Sequence, residues 1–263
     1  MFDLQKANIG KRISAFLFDI ILLFTFTVGF AWAIFGIADY DKYGNGFNEI
    51  KAQYIAEYES KYNGIDLDIS DEEYKKLSAD AKAVYDEALA AANEAFGKDE
   101  GAAYNYGMMI NIIMIAVPLG VLLSYLILEF AIPLFLRNGQ TLGKKIFGVA
   151  LMYTNGVKVT PVGLFIRTVL GKYTVETMVP LMIIALIFLG KLGFVGTVVL
   201  FLLLALELGL LIFNKTRPMI HDALATTVCV DMASQMIFEN EAELIEYKKK
   251  VHEEAAERAK YLN

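Results

Sequence analysis

Three carboxylates interrupt long apolar runs of the sequence: Asp19, Glu129 and Glu207. An ionised carboxylate facing hydrocarbon costs at least about 2.5 to 3.5 kcal/mol on the lenient insertion scale, so each needs compensation. With a helix rise of about 1.5 Å per residue, all three fall roughly 9 to 10 Å inside the same leaflet. Three kinds of compensation are open: protonation of the carboxyls, a protein cation among them, or a bound metal or alkali ion. Arg12 shares a helical face with Asp19, but side chains lean toward a helix N-terminus, which aims Arg12 at the headgroups. Arg167, Lys144 and His221, on elements able to fold back under the helices, are better placed as counter-ions. A layer of acids in which a proton competes with a monovalent cation has the minimum chemistry for exchange. The same acids could instead tie helices together and transport nothing.

Other chemistry finds little support. Two histidines, His221 and His252, and one cysteine, Cys229, cannot build a zinc site by spacing. Cys229 reads as a small buried apolar residue and His252 as a solvated one. Gly139 to Gly143 followed by Lys144 lacks the glycine spacing of a Walker loop. No nucleophile is accompanied by a base and an orienting acid, so neither an enzyme nor a cofactor is expected.

The elements that must position these residues follow from composition. The 263-residue chain is 56% hydrophobic with a net charge of −6. Residues 38–104 hold sixteen Asp or Glu against seven Lys, leaving the remainder slightly basic, and nucleic acid is not an expected partner. Four segments are long and apolar enough to span a bilayer: 13–37, 108–136, 177–190 with its flanks, and 193–213. The last two read as a tight hairpin about Lys191, with one long tilted helix or a re-entrant pair as alternatives. The first begins after Lys6, Lys11 and Arg12; Ala31-Trp32-Ala33 resembles a cleavage site, but the run is too long for a signal peptide and carries Asp19.

Basic residues set the orientation. The N-terminus and the loop holding Arg137, Lys144, Lys145, Lys158, Arg167 and Lys172 should be cytoplasmic, as should the C-terminus beyond Lys215 and Arg217. The acidic insert is then outside. It should form a helical hairpin: 48–62 as one helix, a break at Asn63-Gly64, and a second helix opened by the capping box Ser70 and Glu73. Tyr74, Leu77, Ala81, Val84, Ala88 and Ala92 make its apolar stripe. Segments 147–153 and 157–160 flank Asn155-Gly156, a hairpin turn signal. Residues 162–175 should lie as an interfacial helix, and 238–262 as an exposed helix in water. The expected fold is an all-α membrane protein with about four transmembrane helices, an extracytoplasmic helical-hairpin insert and a small cytoplasmic β-hairpin. Its parts are residues 1–37, 38–104, 105–232 and 233–263.

Arg12 with Asp19, then Gly-Gln-Thr-Leu-Gly-Lys-Lys-Ile-Phe-Gly-Val at 139–149, Arg167, and His-Asp-Ala-Leu-Ala-Thr-Thr at 221–227 resemble the RDD family of membrane proteins. The family's Arg and two Asp match Arg12, Asp19 and Asp222, and the resemblance covers 6–37 and 105–232. It implies a membrane domain suggested to act in transport, with some relatives linked to sodium/proton exchange. The acidic insert and the fourth apolar segment depart from the family pattern. Two functions compete. One is a cation/proton transporter or transport accessory in a bacterial-type plasma membrane, using Arg12, Asp19, Glu129, Arg167, Glu207, His221 and Asp222, with a homo-oligomer completing the path. The other is a non-transporting scaffold that recruits a protein partner through 38–104.

Overall fold

The computed structural model describes residues 4–136, 139–213 and 218–261; Arg137, Lys215 and Arg217, used above for orientation, lie outside the described residues. The chain divides into two compact units, Ala31–Val117 and Met1–Phe30 with Pro118–Asn263. In chain order the elements are α1 (Ile9–Ile37), α2 (Tyr40–Lys61), α3 (Asp71–Lys76), α4 (Ala79–Gly97), α5 (Glu100–Phe135), α6 (Leu142–Ile146), β1 (Val149–Tyr153), α7 (Pro161–Phe188), α8 (Gly193–Phe213), α9 (Ile220–Leu224), β2 (Thr227–Asp231) and α10 (Glu241–Tyr261). Among the described residues, α1, α5, α7 and α8 are long and apolar enough to cross a membrane. In the most apolar stretches of α1, α7 and α8 only 6% of residues are buried, so their side chains need a hydrocarbon environment.

In the acidic unit, Asn63 and Gly64 both take positive φ and turn the chain after α2. Ser70 and Glu73 form the expected capping box on α3. A second break follows at Leu77, after which the Ser78 hydroxyl caps α4 by accepting from the Ala81 amide. This interruption shifts the helical phase. Tyr85, Ala88 and Ala92 are buried and Val84, expected in the apolar stripe, is exposed. Leu67, Tyr85 and Ala88 form the core of the unit with Ile55, Tyr58, Tyr74 and Leu77 packed around them.

In the other unit, β1 pairs antiparallel with β2, setting Leu151 opposite Cys229. The Asn155-Gly156 turn is present, with the Tyr153 amide donating to Val157 and Met152 bridging to Lys158, but the longer ladder of β1 is made with β2. Lys6 bridges to Val230 on the far side of β2. One face of the ribbon buries Val149, Leu151 and Cys229 with Ala7 and Leu164; the other buries Ala150, Met152, Val228 and Val230. The segment expected as an interfacial helix is instead the first half of α7, continuous with the third apolar segment. The tail helix α10 is docked at its start, where Leu244 and Tyr247 pack on Phe238 and Val157, because Phe238 is itself held beside Val157 by a parallel bridge.

Two stretches of helix are wound wider than an α-helix. In α5 the Ile132 amide donates to Ile127, and in α7 the Val179 amide donates to Thr174, each five residues back. The Thr174 and Thr177 hydroxyls donate over the same interval, to Val169 and Lys172. Such π-turns re-phase a helix face. Here the wide stretches, Leu126–Ala131 and Ile166–Met178, carry Glu129, Arg167, Thr168, Lys172 and Glu176.

Candidate functional site: a carboxylate-lined cavity

The loop 139–143 organises Asp19. Thr141 caps α6 by accepting from the Lys144 amide, and its hydroxyl donates to Asp19 Oδ2. The Gly143 amide donates to Asp19 Oδ1 at 2.8 Å. A Cβ at position 143 would lie 2.4 Å from the Ala15 carbonyl oxygen and 2.8 Å from Asp19 Oδ1, so only glycine fits. Asp19 is therefore met by neutral donors in the first turn of a short helix, where a protein cation was expected. Gln140 fixes the same loop to the ribbon through a 2.7 Å hydrogen bond to the Val149 carbonyl.

Arg167, only 2% exposed, is the centre of a second network. Its Nε donates to Asp222 Oδ1 at 3.0 Å, its Nη2 lies 2.8 Å from His221 Nε2, and its Nη1 is 3.8 Å from Glu129 Oε2. A guanidinium can only donate, so His221 Nε2 accepts and the imidazole proton sits on Nδ1. That proton points at Glu176, whose oxygens are 2.8 and 2.7 Å away. Burial, reinforced by Arg167, holds the His221 imidazole below its ordinary pKa against the pull of Asp222 and Glu176. Burial alone would raise the Asp222 carboxyl, but the facing positive charges outweigh it and hold Asp222 well below the usual carboxylate range. Thr227 adds a 3.0 Å hydrogen bond to the same oxygen. Gly171 lets α7 approach α9 closely, since a Cβ there would come 2.5 Å from His221 Cβ.

Lys172 Nζ joins Glu129 Oε1 at 2.6 Å. Lys144 is buried with no hydrogen-bond partner for its amine among the described residues, and Glu129 Oε2 likewise accepts no hydrogen bond. Burial, reinforced by the nearby Arg167 charge, pushes the Lys144 amine down to about 8.

These elements line a half-open cavity of about 270 Å³. Asp19 from α1, Glu129 from α5, Lys172 and Glu176 from α7, Glu207 from α8 and His221 from α9 all line it. The three carboxylates singled out by the sequence therefore face one space. Arg167 and Asp222 are not on its wall but hold Glu129 and His221, which are. Arg12 is half-buried in the first turns of α1 and does not line the cavity. Glu207 has neither a hydrogen bond nor an ion pair among the described residues. No group of His, Cys, Asp and Glu among the described residues is arranged to hold a multiply ligated metal ion.

Sequence reading missed Glu176 as a site residue and placed Lys172 only as a topological cation. The signal was present: Arg167, Lys172 and Glu176 share one face when the helix is wound wide, whereas at α-helical spacing they scatter.

The family model of the RDD family matches residues 6–226, most of the chain and all of the residues lining the cavity. The chain belongs to the RDD family. No curated protein and no solved structure matches it. Within this RDD protein, the matched region supplies both networks: the Asp19 cap on the Gly-Gln-Thr-Leu-Gly loop and the Arg167–Asp222 pair. It also spans residues 38–104, the acidic insert.

Proposed function

We propose that this RDD protein is a transporter, or an accessory of one, that exchanges a monovalent cation for protons through the carboxylate-lined cavity. The observation that carries this reading is that Asp19, Glu129, Glu176 and Glu207 line one space while Glu207 has no partner among the described residues. A desolvated acid without a counter-ion is stabilised by either a proton or a cation, and alternation between the two is exchange. The cluster works by binding and release and carries no enzymatic step. We place the N- and C-termini in the cytoplasm, residues 38–104 outside, and the protein in a bacterial-type plasma membrane, on the basic-residue asymmetry. Four helices make a thin bundle, and a homo-oligomer would complete a path across the bilayer.

The test is sodium or potassium flux from proteoliposomes of purified protein across an imposed pH gradient, compared with empty vesicles. Asp19→Asn should abolish the flux with insertion unchanged, and Glu129→Gln or Glu207→Gln should shift its pH optimum. No flux above that of empty vesicles for any cation would favour the scaffold reading. That second reading draws on the insert, which has its own core of Leu67, Tyr85 and Ala88 and needs no transport path to present a surface to a protein partner.

A further inference from the structure

The cavity is larger than a bare alkali ion needs. Its volume of about 270 Å³ exceeds the roughly 150 Å³ of an apolar cavity that accepts benzene. Its lining also holds Phe16, Ile20, Leu23 and Met219, with the Tyr125 ring. An alkali ion drawn to the carboxylates would leave these residues without contacts, and water beside them would find few polar partners.

Most of the acids are already committed. Asp19 is held by Thr141 and Gly143, Glu176 by His221, and one oxygen of Glu129 by Lys172. What remains for a ligand is Glu207, which lines the cavity without a partner among the described residues. The second oxygen of Glu129 is buried 3.8 Å from the Arg167 guanidinium and is not open to the cavity. Negative charge set beside aromatic and aliphatic walls is the recognition pattern for an alkylated ammonium group, whose positive surface is weakly hydrated and favours ring faces.

We propose that the cavity binds a small organic ammonium ion, its charge facing Glu207 and its alkyl groups against Phe16, Leu23 and Met219. This names the substrate class of the same site and rests on the transport reading. A soluble amine and a lipid headgroup can both present such a group.

The test uses full-length protein reconstituted in phosphatidylglycerol vesicles, which contain no ammonium headgroup. Radiolabelled tetramethylammonium and ethylammonium are titrated, with Na⁺ and K⁺ as competitors. The expected result is binding of an ammonium ion at least about tenfold tighter than of either alkali ion, a change of about 1.4 kcal/mol or more. Glu207→Gln should weaken it by a similar factor. Leu23→Phe, which fills part of the cavity, should abolish ammonium binding. Loss of the free-amine signal on adding phosphatidylethanolamine would assign the ammonium to a lipid headgroup; an unchanged signal would assign it to a soluble amine. Alkali ions binding as tightly as both ammonium ions, with pH-driven flux preserved, overturns this proposal and leaves transport standing. Absence of both binding and flux overturns the two together.

Discussion

Arg167 and Asp222, 55 positions apart in sequence, meet through a 3.0 Å hydrogen bond with side chains only 2% and 1% exposed. Breaking a buried pair from one side leaves an uncompensated charge, which costs about 3 to 5 kcal/mol. Arg167→Met should therefore lower the thermal midpoint of the detergent-solubilised protein severely, and Asp222→Leu should do likewise. The double variant should recover part of the loss, read as a coupling in a double-mutant cycle. Additive losses would mean that the two side chains do not act as a pair.

Gly143 is predicted to be intolerant of any side chain. A Cβ there meets the Ala15 carbonyl oxygen at 2.4 Å, backbone that cannot move aside cheaply. Gly143→Ala should destabilise by about 1 to 3 kcal/mol, the usual range for overpacking. In α5, Gly107→Ala, where a Cβ meets nothing within 4 Å, should be neutral or slightly stabilising. Thermal unfolding of the two variants side by side checks the contrast.

The buried Lys144 amine should give stability a pH dependence on the alkaline side. In the folded protein it titrates at about 8, below its ordinary value of 10.5. The unfolded chain thus binds more protons between those values, and stability rises with pH across that window. Below pH 8 the amine is charged in both states and its burial penalty is fully present. Lys144→Met should be more stable than the parent at pH 7, with the difference shrinking from pH 8 toward 10.5. Chemical denaturation at a series of pH values measures it; a difference that grows with pH would refute the assignment.

Single cysteines test the topology. On a Cys229→Ala background, a membrane-impermeant thiol reagent applied from outside should modify Ser60→Cys and spare Lys249→Cys. The reverse pattern would invert the orientation drawn from the basic residues.

The legible parts of the fold were those where one residue stands against its background. Asp19, Glu129 and Glu207 are conspicuous because charge inside an apolar run is expensive, and Ser70 with Glu73 is a local capping pattern read without tertiary knowledge. Glu176 was hidden because even the most apolar 18-residue stretch of α7 has a mean hydropathy of only 1.5, against 2.3 to 2.6 for the other three, so its polar first half looked like an interfacial segment. Lys144 was legible as a counter-ion candidate but its burial was not; only tertiary packing buries it and exposes the adjacent Lys145. The strand Thr227–Asp231 carries no turn signal because its partner is far away in sequence.

That long-range pairing constrains how the protein can be made. The ribosome delivers β1 first, then α7 and α8, and only afterwards β2, so the ribbon stays open until both helices have entered the bilayer and the chain has returned to the side where β1 waits. Contacts between distant segments close slowly. Closure here also brings Arg167 to Asp222 and places His221 beside Glu176. A segment that emerges after all four apolar helices thus supplies the Asp222 carboxylate that meets Arg167. A nascent chain halted before residue 222 would hold Arg167 with Glu129 as its neighbour but without the closer Asp222 carboxylate.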